Sequence, residues 1–488
     1  MSKQAKLDLY RVRKARPVED LHVVFEFMRE SFQFLPDFER QLDWLKQTSF
    51  ASPEAFASAY LQENARMFLV VEEVASNQVV ACVGGVGINP FELELVRLFV
   101  CEAHRSSGLG KLLIGSVESF ALENGFERVV LHSGYESAQS MYLKNGYVRC
   151  GKYFFYKVVG RRNKVQHLAV LGGVHGNELI GIHLIHQYWN THHPLRAGEF
   201  CKVQTVVCNP EAQKQCVRFV DKDLNRCFAL EDLSNPESCS FAHTKEMQRA
   251  WELNTIIGPK QAIPGSIRPW REANPAAVDY VVDMHSTTSN MGISLITLKG
   301  NAMTLQLAQY VRNELVDQRC PVEFHLLVDS DCQREVNNNI DSVPPSGLCI
   351  EVGPLAHGTL NNAVLLEWTR KSVELSLEFV DLFNSDKAPK PLEGEVIEGF
   401  ELVHPVYFPK DPETGCVSAV LHPKVVGRDF CELKTGEALF LTIATNEVVT
   451  YDGAHGAQVF PCFVGEAAYF TSGIACWLCR SRTFPVYG

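Results

Sequence analysis

The sequence predicts an α/β protein built in three parts: a mixed sheet with helices, then an α/β domain with a largely parallel sheet, then a small β-rich domain. Three observations lead there. At 488 residues the chain exceeds what one ordinary hydrophobic core organises. From Val165 the pattern becomes strand–helix alternation with longer elements. Around residue 390 it changes again, to short apolar strands separated by Gly, Pro and Asp turns. The expected boundaries are 1–160, 165–389 and 390–488.

The elements of the first part follow in order. Residues 18–33 form an amphipathic helical pattern. MFLVVEEVA, a turn at Ser76-Asn77 and QVVACVGGVGI make a hairpin, and LELVRLFV is a short apolar strand. Over 108–124, Leu109, Leu112, Leu113, Val117, Phe120 and Ala121 draw one helical stripe, which Gly125 stops. RVVLHS is a strand, SAQSMYLKN a short helix closed by Gly146, and YVRCGKYFFYKVV ends the unit. The polar stretch Gly160–Lys164 is the linker.

Composition narrows the function. The chain is 46% apolar and 21% charged, with net charge −11 and pI near 5.8. It has no basic surplus for nucleic acid or anionic membranes, so neither is an expected partner. The start has no apolar core followed by a small-residue cleavage site, and no apolar run is long enough to cross a bilayer. Sixteen cysteines without regular spacing fit a reducing compartment, and the cytoplasm is the expected location. Cys476 and Cys479, the only C-x-x-C, read as two unrelated thiols.

Three apolar strands of the middle domain end in ionisable residues. HLAVLGG leads to His175 and Glu178, VDYVVDM to His285, and GLCI to Glu351. Ligands of open α/β sheets bind beyond the carboxyl ends of strands, so these four side chains would meet at one cleft. Two imidazoles and a carboxylate are a common catalytic zinc set that leaves a position for water. Zinc lowers that water's pKa and polarises a carbonyl. Glu351 suits the proton shuttle from water to the leaving amine. Asp283, on the same strand face as His285, either orients that ligand or caps the strand end.

Taken together, GGVHGNELIGIHLI, CVRFVDKDLNRCF, DMHSTTSNMG, IEVGPLAHG and VFPCFVGEAAYF resemble, in order, segments of the aspartoacylase family within the zinc carboxypeptidase clan. The resemblance spans roughly residues 165–475. It implies zinc ligation by His175, Glu178 and His285 and a base-then-acid role for Glu351. It implies that Arg218 polarises the scissile carbonyl. Asn225 and Arg226 would bind the α-carboxylate of an N-acyl amino acid, and Tyr469 would help hold the substrate. Asp223 would support its loop. His183, His186, His192 and His193 read as surface or packing residues.

One position departs from the aspartate-specific members, which carry an arginine ten residues before the catalytic glutamate. Here that residue is Asp341, in NNIDSV, a pattern similar to aminoacylase 3. The resemblance implies N-acetyl aromatic or S-conjugated cysteine substrates rather than N-acetylaspartate, because a carboxylate at 341 repels a second carboxylate.

In the first part, Arg105, Gly108 and Gly110 form R-x-x-G-x-G between a strand and a helix, where glycines and free N–H groups can approach a pyrophosphate. The strand–turn–helix–strand–helix order ending in MYLKNGY resembles the GNAT family of N-acetyltransferases over roughly residues 8–158. ELVRLFV with HRSSGLGKLL is nearest to the cysteine-S-conjugate N-acetyltransferases. The resemblance implies acetyl-CoA as cofactor, an amine as acceptor, Tyr142 as acid and Glu94 as base. For Tyr142 the alternative is an aromatic packed on the edge of CoA, and for Glu94 a solvated strand carboxylate. The expectation is a bifunctional enzyme, with a homo-oligomer as the candidate assembly, whose two halves need different substrates or regulation to avoid a futile cycle. The alternative is an N-acetylaspartate deacylase with a non-catalytic acetyl-CoA sensor or assembly domain.

Overall fold

A computed structural model of the chain describes residues 7–32, 38–61, 65–191, 195, 201–260, 271–298, 301–329 and 336–488. The principal break falls between Asn163 and Lys164 and separates two compact units, each taken here by itself.

The first unit is a seven-stranded sheet of β1 (Tyr10–Lys14), β2 (Arg66–Glu73), β3 (Val79–Asn89), β4 (Glu92–Val100), β5 (Arg128–His132), β6 (Val148–Cys150) and β7 (Phe154–Val158), in the order β1-β2-β3-β4-β5-β7-β6. All neighbours are antiparallel except β4 and β5. That parallel pair is joined only at Glu92–Glu94 against Arg128–Val130. β4 runs on to Val100 and β5 to His132, so beyond Glu94 no ladder joins the edges that the two strands turn toward each other.

The helix Leu109–Glu123 lies on one sheet face. Leu109, Leu113, Val117 and Ala121 meet Leu93, Val129 and Leu131 there. The other face packs Phe27, Met28, Phe56, Phe68 and Val70. The helix Pro17–Phe32, the hairpin and the helix Glu136–Lys144 stand where the patterns place them. The final segment breaks into two strands at Gly151 (φ +69°), a left-handed turn inside what read as one run. Strand β1 and the helices Phe38–Gln47 and Pro53–Tyr60 were not anticipated. β1 reads YRVRK, whose arginines Arg11 and Arg13 pair with Glu72 across the ladder, so charge masks its alternation.

The second unit contains β8 (His167–Gly172), β9 (Lys202–Val207), β10 (Tyr280–Ser286), β11 (Gly292–Leu298), β12 (Phe324–Asp329), β13 (Ser346–Gly353), β14 (Val396–Tyr407), β15 (Ala419–Leu421), β16 (Leu433–Lys434), β17 (Ala438–Thr442), β18 (Val448–Thr450), β19 (Gln458–Cys462) and β20 (Ile474–Pro485). Ten of them form one sheet, ordered β16-β19-β20-β14-β12-β11-β13-β10-β8-β9. β9, β8, β10 and β13 are parallel, as expected, but β11 runs antiparallel to β13. β8 and β10 are almost wholly buried. That explains their unbroken apolar runs, because helices cover both faces of a parallel core. Each buried Val or Leu there contributes roughly 1.5–3 kcal/mol.

The region after residue 390 is β-rich, and its strands continue the central sheet. β14 pairs in parallel with β12 at Leu327↔Phe400 and Val328↔Glu401, and β20 and β19 follow. β15, β17 and β18 form a separate three-stranded sheet. Cys476 and Cys479 belong to different core clusters, as unrelated thiols should, and Cys479 instead faces Cys462 with the sulfurs 3.1 Å apart. No described helix is long and apolar enough to cross a membrane.

Candidate active sites

The second unit's cleft begins where β8 ends. The chain leaves Gly172 and turns through His175 and Glu178 into the helix Leu179–His183. Gly176 is required between them, because a Cβ there would lie 2.2 Å from the backbone of Ala212. Glu178 faces both imidazoles: Oε1 is 2.6 Å from His175 Nδ1, and Oε2 is 2.9 Å from His285 Nδ1. Among the described residues, His175, Glu178 and His285 are the one group whose ligand atoms gather within 4.8 Å. Burial pushes the Glu178 carboxyl up, but the two imidazoles outweigh it and hold the group well below the usual range. A buried, oxygen- and imidazole-rich donor set with this convergence fits a zinc ion.

Each histidine is held from behind. Asp223 Oδ1 lies 3.0 Å from His175 Nε2, and Asp283 Oδ2 lies 2.7 Å from His285 Nε2. Asp283 therefore holds the His285 imidazole rather than capping the strand. Burial opposes ionisation of Asp223, but His175 and then Arg218 hold it far below the ordinary carboxylate range. Arg218 donates through Nε to Asp223 (3.0 Å) and through Nη1 to Glu178 (3.2 Å).

Glu351 stands directly across the β10–β13 ladder from His285. Burial raises its carboxyl well above the usual range. The Glu178 and Glu466 charges push the same way, and His285 and Arg218 push back. The cleft is further lined by Asn225, Arg226, Asp341 and Tyr469, so every hydrolase residue expected from sequence reaches it. Asn225 Oδ1 accepts the Ile340 N–H (2.9 Å), and Arg226 donates to Asn339 Oδ1 (3.0 Å). These bonds tie the 224–226 turn to the 339–341 turn. His183 is partly buried, His186 is exposed, and neither lines the cleft. His192 and His193 lie outside the described residues.

Two carboxylates escaped the sequence reading. Buried Glu466 accepts from Thr287 Oγ1, Thr288 N–H (2.8 Å) and Ala468 N–H (2.9 Å), joining the segment after His285 to the one carrying Tyr469. Buried Glu246 accepts the backbone N–H groups of Val220 (2.7 Å), Asp221 (3.0 Å) and Lys222 (3.1 Å), fixing the loop that follows Arg218. Glu466 sits in a recognisable segment. Glu246 sits in an ordinary helical stretch with no local signal.

In the first unit, the turn ahead of the helix Leu109–Glu123 places Gly108 at φ +100°, a left-handed position suited to glycine. Gly110 has a packing reason as well, since a Cβ there would meet Met141 Sδ at 3.1 Å. Arg105 is half-exposed and donates to Val100 O (3.1 Å). Glu94 is the last residue of β4 that pairs with β5, with its carboxylate 3.4 Å from His132 Nδ1. Tyr142 is buried edge-on to Tyr147 in the core, and burial raises its phenol pKa.

Comparison with known proteins agrees with this architecture. Residues 164–264 match the succinylglutamate desuccinylase/aspartoacylase catalytic domain, residues 395–481 the AstE/AspA barrel-sandwich hybrid domain, and residues 25–147 the acetyltransferase (GNAT) family. The chain is 35% identical to an N-acyl-aromatic-L-amino acid amidohydrolase (carboxylate-forming) of Danio rerio, over 65% of this chain and 94% of that protein. It is 32% identical to an aspartoacylase of Xenopus tropicalis, over 63% and 90%. The crystal structure of murine aminoacylase 3 superposes with TM-score 0.56 at 28% identity, covering 67% of this chain and 99% of that one. The chain is thus an amidohydrolase of the aspartoacylase/aminoacylase family, with a GNAT-family domain preceding its catalytic and hybrid domains.

Proposed function

We propose that the second unit is a zinc enzyme that hydrolyses N-acyl amino acids with aromatic or S-conjugated cysteine side chains, giving a carboxylate and the free amino acid. One observation carries the specificity. Among the described residues, Arg218 and Arg226 are the only Arg or Lys side chains lining the cleft, and Arg218, bonded to Glu178 and Asp223, stands at the zinc-site end, where it would face the scissile carbonyl. That leaves Arg226 for the α-carboxylate and no cation for a second one. Ile296, Leu298, Leu327, Leu402, Phe463 and Trp477 offer an apolar wall instead. The names of the N-acyl-aromatic relatives point the same way.

His175, Glu178 and His285 would hold the zinc, which supplies Lewis acidity toward water and the scissile carbonyl. Arg226, braced by Asn339, and the Asn225 amide N–H₂ orient the α-carboxylate. Arg218 offers its guanidinium to the developing oxyanion. Glu351 accepts a proton from the attacking water and passes it to the leaving nitrogen. Its raised pKa makes it a competent acid in that second transfer. Tyr469, packed on Phe463 with ring centres 5.6 Å apart, lines the cleft and helps hold the substrate. The test is turnover of the zinc-loaded chain on N-acetyl aromatic, thioether and acidic amino acids side by side. N-acetylaspartate as the best substrate would overturn the reading.

For the first unit we propose acetyl transfer from acetyl-CoA to an amine. Support comes from the parting of β4 and β5 beyond Glu94, which frees backbone donors and acceptors beside the turn at Gly108. Glu94, at the fork, is the candidate base and Tyr142, kept protonated by burial, the candidate acid. Turnover of acetyl-CoA with a panel of amines tests it. Binding without turnover would make the unit a sensor.

A further inference from the structure

The catalytic row of the sheet is His285, Glu351 and Ser294 on β10, β13 and β11. Two residues further along, on the same face, the register aligns Asp283, Cys349, Ile296 and Leu327 across β10, β13, β11 and β12. The next row brings Leu298 opposite Asp329 on β11 and β12, and all six of these side chains line the cleft. The cleft therefore runs down the face of the sheet from the polar catalytic row onto a floor of Ile296, Leu327 and Leu298, edged by Asp283 and Asp329. At the next position of β13 stands Gly347. A Cβ there would lie 2.6 Å from the carbonyl of Asp341 and 3.2 Å from its Cβ. The missing side chain lets the 339–341 turn settle onto the strand and places Asp341 beside that floor.

Asp341 is 8% exposed, lines the cleft, and keeps Oδ1 buried with no hydrogen-bond partner. An orphaned buried acceptor costs about 1–3 kcal/mol and needs an explanation. The protein does not supply one through Lys260, whose ammonium already donates to Phe228 O (2.7 Å), Asn337 O (2.6 Å) and Ser342 Oγ (2.7 Å). Asp283 makes no hydrogen bond to it either: its own Oδ1 is unpartnered, and an ionised carboxylate has no proton to donate. Burial, reinforced by the Asp283 charge, raises the Asp341 carboxyl to about 7. Protonated or ionised, it retains a free acceptor oxygen.

We propose that Asp341 accepts a hydrogen bond from an O–H or N–H on the aromatic ring of the substrate, so that the cleft prefers N-acyl tyrosine and tryptophan to N-acyl phenylalanine. This rests on the aromatic reading above and refines it. The floor supplies apolar contact to every ring, while Asp341 rewards only a ring that carries a donor. A site built around such a bond discriminates strongly against the analogue that lacks it, because the acceptor is then left dry.

The experiment compares kcat/KM for N-acetyl-tyrosine, N-acetyl-4-fluorophenylalanine, N-acetyl-phenylalanine and N-acetylaspartate on the zinc-loaded full chain. The fluoro compound matches tyrosine closely in size but has no donor. Tyrosine is expected to exceed both donor-free rings at least tenfold. In Asp341→Leu the advantage should shrink to within about twofold, mainly through loss on tyrosine, with zinc content retained. Asp341→Asn, which keeps a carbonyl acceptor, should preserve part of it. The wild-type comparison stands alone if the variants fold poorly. Equal rates for tyrosine and its fluoro analogue would overturn the inference while leaving the aromatic reading intact. N-acetylaspartate outrunning every aromatic would overturn both.

Discussion

His285 and Glu351 occupy the same rung of the β10–β13 ladder, side by side on adjacent parallel strands. One rigid element thus fixes the distance between the imidazole proposed to hold zinc and the carboxyl proposed to carry the proton, which loops would hold less tightly. Replacing Glu351 by Gln changes no volume and removes only the exchangeable proton site. Zinc content and substrate binding should survive, and kcat should fall at least a hundredfold. A fall of less than about tenfold, roughly 1.4 kcal/mol of barrier, would remove Glu351 from the role.

His175→Ala removes a proposed zinc ligand and also the partner of Asp223 Oδ1. Metal analysis should show substoichiometric zinc, and hydrolysis should vanish. Full occupancy with full activity would refute the ligand assignment.

Glu246 offers a test of positioning far from substrate. Its carboxylate gathers three backbone N–H groups of the loop after Arg218. Glu246→Ala should loosen that loop and lower kcat/KM by about tenfold, with stability falling roughly 2–4 kcal/mol as buried donors go unpaired. Glu246→Gln, which keeps one acceptor, should recover part of both. Unchanged kinetics in the alanine variant would mean that the loop holds itself.

Asp341 should leave a mark on stability against pH. Its folded pKa of about 7 lies above the ordinary 3.8, so the folded chain binds this proton more tightly than the unfolded one. Its contribution is greatest below about pH 4, declines as pH rises through 7, and is flat beyond, a span of roughly 4 kcal/mol. Asp283 repels the ionised form, and His285 and Lys260 favour it. Urea midpoints of wild type and Asp341→Asn should therefore diverge between pH 4.5 and 8, the variant gaining relative stability as pH rises. Parallel curves would contradict this.

In the first unit, Gly110→Val presses on Met141, which lies 3.1 Å from where the new Cβ would sit. It should also crowd the turn at Gly108. Calorimetry should show acetyl-CoA binding at least tenfold weaker while amide hydrolysis continues. Unchanged affinity would sink the assignment of that turn.

The sequence made the strand-end residues legible because β8 and β10 are almost wholly buried, and β13 is buried on one face and partly buried on the other. Their apolar runs are unmistakable, and the first polar residue after each marks the cleft. Glu246 was invisible for the opposite reason: its partners are backbone groups distant in sequence, and a single glutamate in a helix has no signature. The antiparallel turn of β11 was equally hidden. A buried strand between strands reads the same in either direction, and only the ladder to β13 reveals its sense. Glu94 and Tyr142 were named from resemblance. The structure puts the first at the fork of β4 and β5 and the second in the core.

The pairing of β14 with β12 also bears on how this polypeptide can be divided. A protein cut near residue 390 would leave β12 with a bare row of N–H and C=O groups, an invitation to pair with other molecules. It would also lose Glu466, which braces Thr287 and Thr288 just beyond His285. The hybrid region is accordingly no appendage that evolution or a protease could trim from a working hydrolase. Catalytic segment and hybrid region form a single heritable and foldable piece, and any exchange of parts between relatives has to carry the whole of it.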